Sequence, residues 1–449
     1  MKKLLAVLSA VLVVAMLLTA CSAPAANNSS SQDSTPADDS ASVSTPQDTV
    51  VNNNDGSQYA GMGDGKELVY WCEWNESESQ WDVYKETIAR FEKDTGYTVK
   101  VEHYGRDITQ LFPAAIDAGQ RIDVCDLNGT VPQEGYFTDI DEYVDKYGIR
   151  EMVLPAYDLY EKSVSLSDDG HWYAVPSQPF FGGVFYNKDI FKEAGIETLP
   201  ETWDEFMDAC EKIKAIGKEC MTIDDAYCEL PFTYQAALAL GGEQAVNDLY
   251  VGPGEHWKAV LPIAEKFQEM REKGYWAPSV GGNQFPAAQN GEFAMGTAAM
   301  YGFDGSWVCN EVHDITGDDF NWGFMFWPSM TTDENRALEL ACQQIFVPTT
   351  CEDVDGAVLL LKYMIDSETC VGLRDQCQCI PMTEGVEWPA ALADVQKAAA
   401  EAEVTFGWNV KSGTNIDKDT TTLVETYFHK LIGGTITAEE FVQHMVDGE

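Results

Sequence analysis

One stretch, His171–Phe206, limits what this chain can fold into. Trp172–Val175 is an apolar run of strand length. Pro176 follows, and a residue without an N–H cannot donate to a ladder, so a strand is expected to close there. Gly183–Tyr186 reads as a second apolar strand. Asp189–Ala194 reads as a helical turn stopped by Gly195. Thr202 and Glu205 then form a Thr-x-x-Glu capping box. The helix they open sets Phe206, Ala209, Cys210 and Ile213 on one face. Local physics therefore predicts strand, strand, helix, helix.

The same residues carry four ordered motifs. Tyr173–Pro176 is an aromatic-Ala-Val-Pro strand end. After it come Tyr186-Asn187-Lys188-Asp189-Ile190-Phe191, then Ala194-Gly195, then Pro200-Glu201-Thr202-Trp203-Asp204-Glu205-Phe206. In order and spacing they resemble the extracellular solute-binding proteins of family 1, the maltose-binding-protein-like receptors of ABC sugar importers. A second resemblance lies at Asn290–Trp307, where a Gly-x-x-Ala-Met run leads through a strand to Gly305-Ser306-Trp307. The resemblance covers the chain from about Glu67 to its end. It implies an α/β, periplasmic-binding-protein-like type II fold, with two α/β lobes joined by a hinge and a ligand cleft between them. It also implies a binder, not an enzyme.

Length and charge agree with that class. With 449 residues, two or more lobes with sizeable cores are affordable. Lys and Arg number 28 against 74 Asp and Glu, a net charge of −46. So acidic a surface argues against nucleic acid and against docking on anionic headgroups.

The N-terminus reads as an address. Met1-Lys2-Lys3 is a basic n-region and Leu4–Leu18 an apolar h-region, together a secretory signal over residues 1–20. Leu18-Thr19-Ala20-Cys21 resembles a lipobox, which implies cleavage before Cys21 and a lipid on its sulfur. Residues 21–65 hold Ser, Asn, Asp, Ala, Pro and Gln with almost no large apolar side chain. Such a segment cannot bury enough surface to offset its ordering entropy, so it is expected to be a disordered tether.

Beyond the tether, Glu67–Trp71, a helix carrying Trp81, Tyr84, Ile88 and Phe91, and a strand within Tyr97–Tyr104 form the first unit of an α/β lobe. Asp123–Asp126 is the next strand. Ligands of open α/β sheets sit beyond the carboxyl ends of strands. That rule nominates Trp71, Glu73, Trp74, Asp126 and Asn128. The resemblance adds Gln178, Phe180 and Phe181 at the crossing between lobes. Phe180 and Phe181 stand where some relatives carry a polar ligand, so maltose specificity does not transfer. A helix at Leu230–Leu240 could turn its N-terminus and Tyr234 to the cleft. Trp307 would stack on the C–H face of a sugar ring, with Asp304 as an acceptor for its hydroxyls. Trp408 is a further cleft aromatic on the resemblance. Trp322–Pro328 is expected to return the chain to the first lobe, and Thr349 with Glu352 to cap the helix after it. The N-terminal lobe is then 66–177 plus about 320–380, and the C-terminal lobe 178–319 plus about 381–449.

Removing Cys21 leaves eleven cysteines, an odd number, and disulfides or free thiols both stay open. Six histidines offer no zinc spacing, so no metal and no cofactor is expected. The expected protein is a monomeric, lipid-anchored carbohydrate receptor on the extracellular face of the cytoplasmic membrane, with an ABC permease as partner. A receptor for a non-sugar solute on the same fold, or a secreted glycan hydrolase using two of the many carboxylates, remain as alternatives.

Overall fold

The structure is a computed structural model that describes residues 56–127, 135–163, 169–223, 228–282, 287–304, 308–317, 320–331, 337–401, 404–407 and 417–449. Nine strands join into one sheet among these residues. In chain order they are β1 (Glu67–Cys72), β2 (Thr98–His103), β3 (Val124–Leu127), β4 (Ala174–Asn187), β5 (Glu219–Thr222), β6 (Ala298–Asp304), β7 (Trp322–Met325), β8 (Ala337–Phe346) and β9 (Val404–Gly407).

The first lobe is built on β1, whose residues after Glu67 are all buried because parallel β2 and β3 flank it. The β1–β2 crossover is the helix Ser79–Thr95. Its Val83, Tyr84, Ile88 and Phe91 fall on one stripe and bury. The helix ends at Gly96, in the left-handed region (φ 84°), whose N–H bonds the Glu92 carbonyl. The helices Val354–Ile365 and Ser367–Cys377 pack on this helix from far along the sequence. Arg90 fixes them by a bidentate pair with Asp366 at 2.6 and 2.8 Å. Asp366 is fully buried and also caps the second of those helices. Guanidinium geometry suits such a fork, which sets a register between discontinuous segments.

Two strands run through both lobes. β4 pairs antiparallel with β8 from Ala174↔Phe346 to Gly182↔Glu339. Its second half then pairs with β6 and β7 in the second lobe. β8 likewise reaches β3 at one end and β9 at the other. The second lobe closes on a core that includes Phe206, Trp257, Phe267, Trp276, Trp327, Phe428 and Phe441. The expected capping box of Thr202 with Glu205 forms, and Thr437 with Glu440 makes a second one at the last helix. Trp257 is fully buried in that core.

Four expectations need correction. The strand that was to close at Pro176 continues through Pro176 and Pro179 to Asn187 as the single strand β4. Among the described residues, β4 up to Gly182 pairs only with β8, and its open edge tolerates residues with no N–H to give. β7 does not return the chain to the first lobe. It pairs with Val184–Asn187, and Met325 and Trp327 enter the second-lobe core, so the return is made by β8 and not near residue 320. The cap of the helix after β8 is Asp353, which accepts from Gly356 N, and not Thr349 with Glu352.

The tether also ends earlier than residue 65. Gly56–Tyr59 is a short 3-10 turn, and Tyr59 buries edge-on against Tyr147 and Tyr363. Lys362, itself buried, donates to the Tyr59 hydroxyl at 3.0 Å. Gly63 bonds the Thr95 carbonyl, and a Cβ there would meet the Tyr97 ring at 2.2 Å. One aromatic and one well-placed glycine let a polar segment strap itself to the lobe.

Candidate functional site

The site is best built from the carboxyl ends of β1, β2 and β3, which meet on one edge of the first lobe. Glu73 follows β1, and its carboxylate is almost wholly buried. Asp126 lies within β3, beside it, equally buried. The Tyr70 hydroxyl donates to Asp126 Oδ2, and the Glu73 backbone N–H approaches the same oxygen at 3.4 Å. Burial raises both carboxyls above the ordinary carboxylate range, and each is raised further by a neighbouring acid, Asp126 by Glu73 and Glu73 by Glu78. Two buried acids this close hold a proton into the neutral range. Together they can both accept and donate hydrogen bonds.

The cation facing them is Arg106, which the sequence reading did not nominate. It sits in the turn Gly105–Asp107 directly after β2. Its guanidinium donates to the Glu73 carbonyl at 2.8 Å and to Glu78 Oε1 at 2.9 Å. It also lies 4.8 Å over the Trp74 ring. Gly105 is left-handed (φ 60°), and a Cβ there would stand 3.1 Å from Asn75 Oδ1, so the turn that presents Arg106 is tight. The rule that pointed to Glu73 and Asp126 applies equally to the end of β2 and was the available signal. The Arg106 side chain stays 45% exposed, so it can still reach a solute.

The second lobe answers with the helices Ala287–Ala294 and Val308–Thr316, which pack together. Asn290 donates to Glu311 Oε2 at 2.7 Å. Burial raises the Glu311 carboxyl, Arg106 opposes that shift, and Glu78 adds to it. Asp314 also feels Glu78. Groups of the two lobes therefore act on one another across the interlobe space. Neither Glu311 nor Asn290 carried a signal in the sequence apart from its place beside the Gly-x-x-Ala-Met run.

The hinge strands supply the floor. Gln178 sits where the β4–β8 register shifts, with left-handed backbone (φ 40°). Its Nε2 donates to the Tyr84 hydroxyl at 2.9 Å. Phe180 follows, half-buried. Glu161, on the helix Pro155–Ser163, is buried against Gln344 of β8, which donates to both carboxylate oxygens at 2.9 and 2.8 Å. Burial pushes the Glu161 carboxyl up to about 8.

The nominated residues thus divide. Glu73, Asp126 and Gln178 are brought to the interlobe edge. Trp74 is there too, but its ring is covered by Arg106 and packs in the first-lobe core. Trp71 is packing instead: it is buried and lies 4.2 Å from the Tyr104 ring. Phe181 is packing as well, stacked 5.7 Å from Trp388. Tyr234 lies in the second-lobe core, where its hydroxyl donates to the Trp327 carbonyl, because the whole Leu230–Leu238 face is buried. Asp304 closes β6 in register with Gly183. Asn128, Trp307, Trp408 and Cys21 lie outside the described residues. Among the described residues no cluster of three or more His, Cys, Asp or Glu side chains is arranged to hold a metal ion.

Two lobes on a two-strand hinge, with buried acids and one guanidinium at the strand ends between them, define a solute-binding protein. Residues 86–405 match the bacterial extracellular solute-binding protein family, and the chain belongs to it. Over 197 residues it is 27% identical to the diacetylchitobiose binding protein NgcE of Streptomyces coelicolor, a match spanning 41% of this chain and 41% of that relative. The chain therefore aligns with about two-fifths of that curated relative's length. Its fold is similar to a chitin oligosaccharide binding protein, with a TM-score of 0.70 at 21% identity over 85% of this chain and 97% of that one. It is also similar to the binding protein RafE in complex with raffinose, with a TM-score of 0.64 at 21% identity over 85% and 99% of the two chains.

Proposed function

We propose that this protein is the receptor of an ABC importer and binds a mono- or oligosaccharide between its lobes. The observation that carries the reading is the placement of Glu73, Asp126 and Arg106 at the strand ends of one lobe, opposite Asn290 and Glu311 of the other. Such a set offers donors and acceptors in a largely dry space, which is what ring hydroxyls need. The names of the relatives that bind chitobiose, chitin oligosaccharide and raffinose support a carbohydrate. Ligand that touches both lobes binds the closed arrangement better than the open one and shifts the population toward it. Asn128, Asp304, Trp307 and Trp408 remain proposed contacts. The chain would be held at the extracellular membrane face by a lipid on Cys21, act as a monomer, and hand its sugar intact to a permease.

X-ray scattering of the mature chain with a panel of oligosaccharides tests this. The reading expects one sugar class to reduce the radius of gyration at stoichiometric concentration. Binding without any compaction would remove the two-lobe mechanism.

A further inference from the structure

A cavity of about 210 Å³ lies in the second lobe. It stands beside the strand β7, which pairs with Val184–Asn187 of β4. The helix Ala393–Glu401 packs on β7 and forms one wall. Its Asp394, Lys397, Ala398 and Glu401 recur at helical spacing, so a single face of the helix lines the space. Phe324, the half-buried Phe326 and Trp327 give a second, aromatic wall, and the exposed Leu199 lines the edge. None of these residues belongs to the interlobe set.

Tyr186 points to a ligand. It lines the cavity, is 9% exposed, and its hydroxyl has no hydrogen-bond partner among the described residues. Its ring packs on Phe191 at 4.6 Å and beside Gly323, where a Cβ would come within 2.8 Å of Cζ. A buried hydroxyl with no partner is costly, and an N–H or O–H of a bound molecule offsets that cost.

Charge narrows the class of that molecule. Three carboxylates, Glu201, Asp394 and Glu401, line the space against one ammonium, that of Lys397. Lys397 stands 3.9 Å from Glu401, and Asp394 takes Lys188 at 2.7 Å. Aromatic faces attract a cation through their quadrupole, and carboxylates beside them add to that attraction. The net charge of −46 draws cations to the protein from a distance.

We propose that this cavity is a second binding site, for a small organic amine in its ammonium form with an apolar body the size of phenethylamine. The body packs between Phe326 and the helix face at Ala398. The ammonium donates to the Tyr186 hydroxyl and to Asp394. An alcohol of the same shape keeps the packing and loses the charge, and a carboxylate of the same shape is repelled by the acids. The site does not depend on what the interlobe space binds.

The test titrates phenethylamine into the mature chain by calorimetry at neutral pH, beside phenethyl alcohol and phenylacetate. The expected result is one amine per chain, with the alcohol about tenfold weaker and phenylacetate not bound. Asp394→Asn should weaken the amine about tenfold and Tyr186→Phe about fivefold. Ala398→Leu should abolish binding by filling the cavity. Asp394 is part-exposed, so its variant folds whether or not the Ala398 variant does. Asp126→Asn should leave amine binding unchanged, because that carboxyl belongs to the interlobe set. No binding of the amine, or equal affinity for the amine and the alcohol, overturns the site. Affinity lost in Asp126→Asn but kept in Asp394→Asn overturns it too, and puts the amine between the lobes instead.

Discussion

The guanidinium of Arg106 lies 4.8 Å above the ring of Trp74 while donating to the carbonyl of Glu73 at 2.8 Å. One side chain thus covers an aromatic face and answers the charge of the buried acids beside it. A solute can bind there through the exposed side of the guanidinium or by displacing it from the ring.

Arg106→Ala should weaken ligand binding at least tenfold, because the only guanidinium named at this site would be gone and Glu73 and Glu78 would face each other uncompensated. Arg106→Lys should recover part of the charge but not the stacked fork, and remain several-fold weak. Titration calorimetry on the three proteins checks both statements. Equal affinities would remove Arg106 from the site.

Asp126→Asn should separate stability from binding. The folded Asp126 carboxyl is raised, chiefly by burial and then by Glu73. A raised acid stabilises the fold at pH values below its unfolded pKa of about 4, and that contribution is lost as pH rises through the folded value. The amide mimics the protonated form. At pH 5 the variant should unfold near the wild-type temperature, and at pH 8 it should unfold a few degrees higher. Its affinity should match the wild type at pH 5 and fall at pH 8, where the amide stands in for a charged acceptor. Thermal unfolding at the two pH values, with one binding curve at each, decides it.

Much of this fold was legible because its signals are local. The capping box at Thr202 is short-range chemistry, and it forms. Glu73 and Asp126 were legible from strand ends alone, by the rule for open α/β sheets. Aromatic residues were the weaker signal. Trp71, Phe181 and Tyr234 have the chemistry of sugar platforms, yet their side chains fill cores, and composition does not separate the two uses. The length of β4 was hidden because proline breaks a ladder only where its N–H is needed, and that depends on which edge β8 occupies. The strap at Gly56–Gly65 was hidden because its fit depends on Tyr97, Lys362 and Tyr363, which come later in the chain.

Glu161 sets a second pH dependence, away from the acid pair. Its carboxyl is pushed up to about 8 by burial, with Gln344 holding it down in part. Below an unfolded pKa of about 4.3 the proton is held in both states, and stability then declines with rising pH until about 8. Glu161→Gln should flatten that decline and raise stability at pH 8 by roughly 1–3 kcal/mol. Urea unfolding from pH 5 to pH 8 gives the slope directly. A steeper slope in the variant would contradict the assignment.

Removing residues up to Gly65 should lower the unfolding temperature by several degrees and leave ligand affinity unchanged. The cut strips Tyr59 from buried Lys362 and uncovers Tyr97 and Tyr363, all far from the strand ends that face the other lobe. Calorimetric scans of the mature and shortened chains, with one ligand titration each, check both halves of the statement.

The most direct test of carbohydrate capture is thermal unfolding of the mature chain against mono- and oligosaccharides, amino acids, peptides and polyamines, with the bound solute recovered afterwards. Binding to the native state alone raises the midpoint by mass action. One sugar class should raise it by several degrees and be recovered intact. A shift given only by a non-sugar solute, or a sugar recovered cleaved, would contradict the assignment of this protein as a carbohydrate receptor.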